Sequence, residues 1–130
     1  MAGVTFRDET ATGRAVAAWE VGGLPDRMTV RELIRLRVRE EVTRYNSRPA
    51  NRFAGLVRPE GATTEPGGYR LAVPRPLDWE RQAVAAERAF RSNGFFVLAG
   101  DRQVEDLDEE VDLTACPGLV FIKLIPLVGG

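Results

Sequence analysis

Hydrophobic residues change their spacing several times along this chain. Residues 4–6 and 14–21 read as extended segments joined by polar residues, so they predict a β-hairpin, followed by a loop over residues 22–26. Apolar residues then recur every three or four positions, which is typical of a helix that buries one face. The predicted buried face comprises Val30, Leu33, Ile34, Val38, Val42 and Tyr45.

The start of this first helix carries a capping signature. Thr29 precedes the periodic stretch and Glu32 stands three residues later, as in a capping box, and Met28 is placed to pack against Leu33. We expect the helix to end near Asn46 and to lie on a sheet.

A long irregular stretch separates this helix from a second one. Residues 47–76 hold five of the eight prolines and four glycines, and we expect residues 69–73 to pair or to pack on the surface. Asp78 then begins the second helix, and Asn93-Gly94 ends it. Its apolar face comprises Trp79, Ala83, Ala86 and Phe90, which we interpret as core residues, as we do Trp19.

The last third of the chain is extended. Residues 95–98 and 102–104 predict a hairpin around a turn at 99–101, and residues 119–125 form a nearly unbroken apolar strand that belongs in the middle of a sheet. Between them lies an acidic stretch, 105–112, which we interpret as a solvated loop or as a dock for a basic partner. Pro126 ends the last strand because it has no amide hydrogen to donate.

Two segments in the last third of the chain resemble parts of a known protein family. Residues 96–106, Phe-Val-Leu-Ala-Gly-Asp-Arg-Gln-Val-Glu-Asp, resemble the third strand, turn and return strand of ubiquitin. Residues 121–130, Phe-Ile-Lys-Leu-Ile-Pro-Leu-Val-Gly-Gly, resemble a last strand that runs into a Gly-Gly tail, and they are also similar to the ends of the small sulfur carriers of molybdopterin and thiamine synthesis.

The resemblance implies an α+β fold, the β-grasp, in which a mixed sheet wraps around one main helix. We expect a single domain over residues 1–126 with a proline-rich insertion and second helix at about 47–93, and a flexible tail over residues 127–130. Neither ubiquitin nor a typical sulfur carrier has such an insertion, so partner choice stays open.

The same resemblance implies that the chain is a substrate or carrier rather than an enzyme. Gly130 would be adenylated by an activating enzyme that uses ATP, Gly129 would let the thin tail enter that enzyme, and Leu127 and Val128 would be recognised there. A bacterial-type protein modifier would then be joined to a target protein, with a conjugating enzyme and an isopeptidase as further partners. The alternatives are a sulfur carrier whose Gly130 becomes a thiocarboxylate, and a β-grasp binding module without acyl chemistry.

The composition excludes several classes of catalytic and metal-binding site. The chain has 130 residues, no histidine and one cysteine, which excludes Ser-His-Asp catalysis, mixed Cys/His zinc sites and internal disulfides. We expect no metal and no bound cofactor, a reducing cytoplasm as the location, and no membrane partner. The formal net charge is -1, and arginines of the first helix can pair with acids as Glu32–Arg35, Arg37–Glu41 and Glu40–Arg44, so we do not expect nucleic-acid binding.

Two single residues bear on function. Cys116 precedes Pro-Gly in a predicted turn, where we interpret it as a small turn residue rather than a nucleophile. Lys123 is the only lysine and lies within a predicted strand, so we expect little lysine-linked polymerisation.

The second helix either covers the outer face of the sheet or leaves there an apolar patch on which partners dock.

Overall fold

The chain folds as an α+β domain in a computed structural model that describes residues 1–123. Within that range it forms two helices, α1 and α2, and ten strands, β1 to β10. In chain order these are β1 (Ala2–Glu9), β2 (Ala15–Leu24), β3 (Arg27–Thr29), α1 (Val30–Ser47), β4 (Arg52–Phe53), β5 (Thr63–Glu65), β6 (Gly68–Arg70), α2 (Trp79–Arg91), β7 (Phe95–Ala99), β8 (Arg102–Val104), β9 (Glu110–Asp112) and β10 (Gly118–Lys123).

The main sheet has five strands in the order β2-β1-β10-β7-β8 within the described part of the chain. The first and last hairpins flank β10, which runs parallel to β1 and antiparallel to β7. Phe6 pairs with Leu119 and Phe121 pairs with Val97, and these side chains are buried on one face. The prediction that the last strand is central is therefore confirmed.

Both helices pack on this buried face. Arg37 of α1 lies 4.4 Å from the centre of the Phe121 ring, and Phe90 of α2 lies 6.0 Å, between ring centres, from Phe95. Since Phe95 and Phe121 point to the same side of the sheet, no helix within residues 1–123 covers the opposite side. The core thus lies between one sheet face and a layer of two helices.

The local signals of the first helix are confirmed. The Thr29 hydroxyl accepts from the Glu32 amide at 3.1 Å, and the Thr29 amide donates to the Glu32 carboxylate at 2.9 Å, which completes the capping box. The second helix begins after Asp78 as predicted, and its end carries Asn93 with a φ of 60°. The Gly94 amide then donates to the carbonyl of Ala89 at 2.7 Å, which closes the last turn.

The insertion contains a small sheet that the sequence only partly indicated. Its strand order is β4-β6-β5, and β6 lies inside the stretch around residues 69–73 that was expected to pair. Two other predictions were wrong. Gly22 to Leu24 continue strand β2 instead of forming a loop, and Glu110–Asp112 form strand β9 on β3 instead of a solvated loop.

Candidate functional site at the end of strand β10

The predicted acyl-transfer residues follow strand β10. Gly129 and Gly130, with the recognition residues Leu127 and Val128, lie outside the described residues. The described chain ends at Lys123, the last residue of β10. Lys123 is therefore the described residue nearest in sequence to the predicted site, and its surroundings hold an unusual set of charged side chains.

Arg37 is the centre of this set and is fully buried, with a relative exposure of 0%. Its guanidinium donates two parallel hydrogen bonds to the carboxylate of Asp8, one of them at 2.8 Å. Its Nε donates to Glu41 at 3.3 Å. The face of the guanidinium lies over Phe121 and, at 5.0 Å, over Trp19. The planar guanidinium of arginine donates parallel hydrogen bonds to a carboxylate and stacks on aromatic rings at the same time, which the ammonium group of lysine cannot do.

Glu41 and Lys123 together hold one peptide group of the insertion. The second carboxylate oxygen of Glu41 accepts from the Leu56 amide at 2.9 Å, and the Lys123 ammonium donates to the Gly55 carbonyl at 2.6 Å. That amide and that carbonyl belong to the same peptide bond. Helix α1 and strand β10 are therefore both hydrogen-bonded to one peptide group of the insertion, the helix through its amide and the strand through its carbonyl. We call these contacts of Glu41 and Lys123 with the Gly55–Leu56 peptide the peptide clamp.

Residue 55 must be glycine because the fold leaves no room for a side chain there. A Cβ atom there would lie 2.1 Å from two carbons of the Phe53 ring and 3.0 Å from Glu41 Oε1. Phe53 is buried and stacks edge-on against Tyr45 of α1, so the ring has little freedom to move. The backbone approaches the clamp closely because no side chain intervenes.

The four charged groups of the cluster balance, since Asp8 and Glu41 offset Arg37 and Lys123. Burial raises the pKa of Glu41 above its ordinary value, because desolvation outweighs the attraction of Arg37. Burial also lowers the pKa of the Lys123 ammonium, and the charge of Arg37 lowers it further. Each group is engaged by another, so the cluster is suited to fixing the insertion rather than to acid–base catalysis.

Sequence reasoning missed this cluster, although it contained a signal. Arg37 lies four residues after Leu33 and three after Ile34, on the apolar face of the helix. The Arg37–Glu41 pair was predicted, but as a pair that neutralises charge on the helix rather than as a buried one. A charged residue at a core position with a carboxylate four residues later is the pattern that indicates a buried pair.

A groove opens beside the clamp. Its volume is about 170 Å³. One wall comes from the turn end of the first hairpin and the other from the small sheet of the insertion, with Lys123 between them. The lining residues are Asp8, Glu9, Thr10, Val16, Ala17, Ala54, Thr64, Glu65, Gly67, Gly68, Tyr69 and Lys123. Burial raises the pKa of the Tyr69 phenol, and its ring lies 5.1 Å from the Lys123 nitrogen.

The remaining arginines of α1 are largely engaged by other parts of the fold. Arg31 and Arg35 pair with Glu87 of α2, at 2.9 and 3.6 Å, instead of Arg35 pairing with Glu32 on its own helix. Arg35 also stacks on Trp79, which is half-buried rather than fully in the core. Of the three predicted pairs along α1, Arg37–Glu41 is the one found within the described residues.

The acidic stretch is held by ion pairs, and Cys116 lies in a turn. Asp108 pairs with Arg31 and Glu109 pairs with Arg102, so the stretch is tied to the helix and to β8. The Cys116 thiol is half-buried and donates to the Gly118 carbonyl at 3.6 Å, in the turn where it was predicted. In residues 1–123 no group of three or more His, Cys, Asp or Glu side chains is placed to hold a metal.

The outer face of the sheet carries a small apolar patch. Val120 pairs with Leu98 and Ile122 pairs with Phe96, and all four side chains are half-buried. Helix α2 packs on the opposite face, so the expectation that the second helix covers this face is wrong, and docking of partners there stays a prediction.

Comparisons with known proteins add no relatives. No family model, no curated protein and no solved structure matches this chain. Among residues 1–123 no helix has the length and apolar character needed to cross a membrane.

Proposed function

We propose that this protein is a ubiquitin-like modifier of the β-grasp fold, activated at Gly130 by an ATP-dependent enzyme and conjugated to target proteins. The observation that carries the proposal is the order of the main sheet, β2-β1-β10-β7-β8, with β1 parallel to β10 and α1 crossing one face. A hairpin, a helix and a central last strand in this arrangement are what a β-grasp domain requires. Five residues separate Lys123 from the Gly-Gly sequence at positions 129 and 130.

The position of the clamp supports the same proposal. A carboxylate becomes an acyl donor only after conversion to a mixed anhydride, so the terminal glycine must reach into another enzyme's ATP site. The strand before it must stay fixed while the tail is drawn in. The bond from Lys123 to the Gly55 carbonyl and the buried cluster behind it would anchor β10 at its last described residue.

A sulfur carrier is the second candidate. Pro126 shortly before Gly-Gly is the feature that favours it, while the insertion favours the modifier. The two functions share adenylation of Gly130 and differ in what the activated carboxyl receives. A modifier forms an amide or ester with a target, and a carrier exchanges one oxygen of its carboxylate for sulfur.

Mass spectrometry of the protein recovered from its own host, untagged at the carboxy terminus, tests both candidates. Trypsin cleaves after Lys123, so a conjugated target would keep the seven-residue remnant Leu124–Gly130 on the modified side chain. A free chain whose mass shows one oxygen replaced by sulfur would instead establish a carrier. An unmodified chain under every growth condition would contradict both.

A deletion of Gly130 is the matching genetic test. The variant should retain the fold, because the deleted residue lies outside the described core, and it should lose every conjugate. Gly22→Ala is a suitable control, because a Cβ at Gly22 would meet no atom within 4 Å. Conjugates that persist in the deletion variant would overturn the assignment of Gly130.

A further inference from the structure

We propose that the free edge of strand β2 is a self-association surface, on which a second copy of this chain pairs its own β2 antiparallel about a two-fold axis at Trp19. Such pairing joins two five-stranded sheets into one continuous sheet. The inference concerns the folded domain and does not depend on what is later done with Gly130.

Strand β2 is the longer of the two edges of the main sheet. Within residues 1–123 the sheet ends with β2 on one side and β8 on the other, and β1 is the strand with which β2 pairs. An edge strand leaves a row of backbone amide and carbonyl groups available to another strand. Edge β8 has three residues, whereas β2 has ten, of which Glu20 alone is charged. The edge with the greater capacity for pairing is therefore β2.

Two irregularities confine this capacity to the middle of β2. The register of β1 against β2 shifts between Ala2 and Val4 and again between Asp8 and Glu9, so β2 is regular over residues 17–21. Irregularities of this kind twist an edge and end pairing. The two alanines of the regular segment are exposed, and their small side chains do not obstruct a neighbouring strand.

The charges beside this segment select a register. On the outer face Arg7 lies opposite Ala18, and Glu20 lies opposite Thr5. With Trp19 on the two-fold axis, Glu20 of one copy lies directly opposite Ala18 of the second copy, and Arg7 of the second copy is next in the same row. Because alanine is small, the long side chains of Glu20 and Arg7 can meet above it, and the symmetry forms this pair twice.

Both charged groups are available for such a pair. Arg7 and Glu20 are exposed, and neither forms an ion pair with another residue of the described range 1–123. Opposite charges across a strand pair stabilise it, and like charges destabilise it. The outer face of the edge is thus complementary to itself.

The neighbouring registers lack this complementarity. An axis at Glu20 would place two carboxylates directly opposite each other, and an axis at Ala18 would place Glu20 opposite Val16, at the irregular end of the segment. An axis at Trp19 also brings two indole rings opposite each other on the inner face, and cross-strand aromatic pairs are favourable. Since the regular segment is short, the contact is small and the dimer is weak and reversible.

The first test is the concentration dependence of the mass of the full chain. We expect sedimentation equilibrium to give the monomer mass of 14.4 kDa at about 10 μM and an average that rises toward twice this mass at about 1 mM. A mass that stays at 14.4 kDa at both concentrations would overturn the proposal.

Charge reversal identifies the surface. Arg7→Glu and Glu20→Arg each set like charges against each other in their own dimer, so each variant should lose at least about tenfold in association constant at low salt. In an equimolar mixture the two variants are complementary at both pairs, so association should return to within about threefold of the wild type. Gln103→Glu, on the opposite edge, is the matched control and should associate as the wild type does. A mixture that associates no better than its components would contradict the pairing of Arg7 with Glu20.

Disulfide cross-linking reads the register directly. In a Cys116→Ser background, Ala17→Cys and Val21→Cys place thiols at positions that lie opposite each other when Trp19 is on the axis. Opposed residues have Cα atoms about 4.5–5.5 Å apart, which a disulfide can span. With oxidised glutathione, a mixture of the two variants should form the cross-linked dimer at least about fivefold faster than either variant alone. Equal rates, or faster cross-linking of a single variant, would overturn the register.

Discussion

Replacing Arg37 with methionine should destabilise the fold far more than an ordinary arginine replacement. Methionine keeps much of the length and packing over Phe121 but removes the charge and all donors. Two hydrogen bonds to Asp8 and one to Glu41 are lost, and the two carboxylates stay buried without the guanidinium. Breaking a buried ion pair by removing one partner costs about 3–5 kcal/mol, a large share of the 5–15 kcal/mol by which domains are usually stable.

The assay is urea unfolding of the wild type and the Arg37→Met variant at pH 7, followed by circular dichroism. We expect a lower midpoint with an unchanged slope, since the surface exposed on unfolding is the same. Arg7→Met is the matched control, because Arg7 is exposed on strand β1 and its loss should cost less than about 0.5 kcal/mol. A loss below about 1 kcal/mol for Arg37→Met would refute the claim that the cluster is buried and coupled.

The pH dependence of this variant gives an independent check. Burial already raises the pKa of Glu41, and removing Arg37 takes away the charge that opposes this rise, so the pKa of Glu41 in the folded variant lies further above that of the unfolded chain. The folded variant then binds more protons than the unfolded chain, so its stability increases as the pH falls from 7 toward about 4. The gap between the variant and the wild type should therefore narrow in acid. A gap that widens would show that the carboxylates are not buried without a counter-charge.

Three further outcomes are expected. Gly55→Ala should cost at least 2 kcal/mol, because its Cβ would overlap the Phe53 ring, whereas Gly22→Ala should cost under about 1 kcal/mol; equal urea midpoints would contradict the close approach. Lys123 should react with an amine-directed ester at least tenfold more slowly in the folded protein than in urea, because its nitrogen is bound to Gly55; equal rates by peptide mass spectrometry would contradict the clamp. Asn93→Gly should leave the stability equal or higher by up to about 1 kcal/mol, and Asn93→Ala should lower it by about 1 kcal/mol, because Asn93 has a φ of 60°; the reverse order in thermal unfolding would contradict that backbone conformation.

The elements that the sequence predicted well are those with a local cause. The capping box at Thr29 and the apolar period fix α1 within a few residues, and the Asn93-Gly94 pair marks the end of α2. The last hairpin was predicted because its turn needs a residue with a positive φ, and Gly100 has a φ of 62°. In each case the controlling atoms lie within a few residues of one another.

The elements that the sequence missed depend on distant partners. Strand β9 has three residues inside an acidic run, and it forms because β3 lies beside it. Gly22 and Gly23 carry turn-like composition, yet they extend β2 alongside the irregular start of β1. The tail residues of the candidate site rest on the sequence alone and stay a prediction. The peptide clamp could not, because Lys123 and Gly55 are separated by 68 positions.

The clamp also bears on which partners can take the tail. Seven residues follow Lys123, and they span at most about 25 Å when fully extended. If Gly130 is activated as proposed, the enzyme that holds it must come within about 25 Å of Lys123, where the Gly55–Leu56 peptide fixes the small sheet β4-β6-β5 to α1 and β10. An enzyme that also contacts this small sheet would distinguish the chain from a carrier that lacks the insertion. Replacing exposed residues of the small sheet would then reduce activation of Gly130 without changing the two glycines.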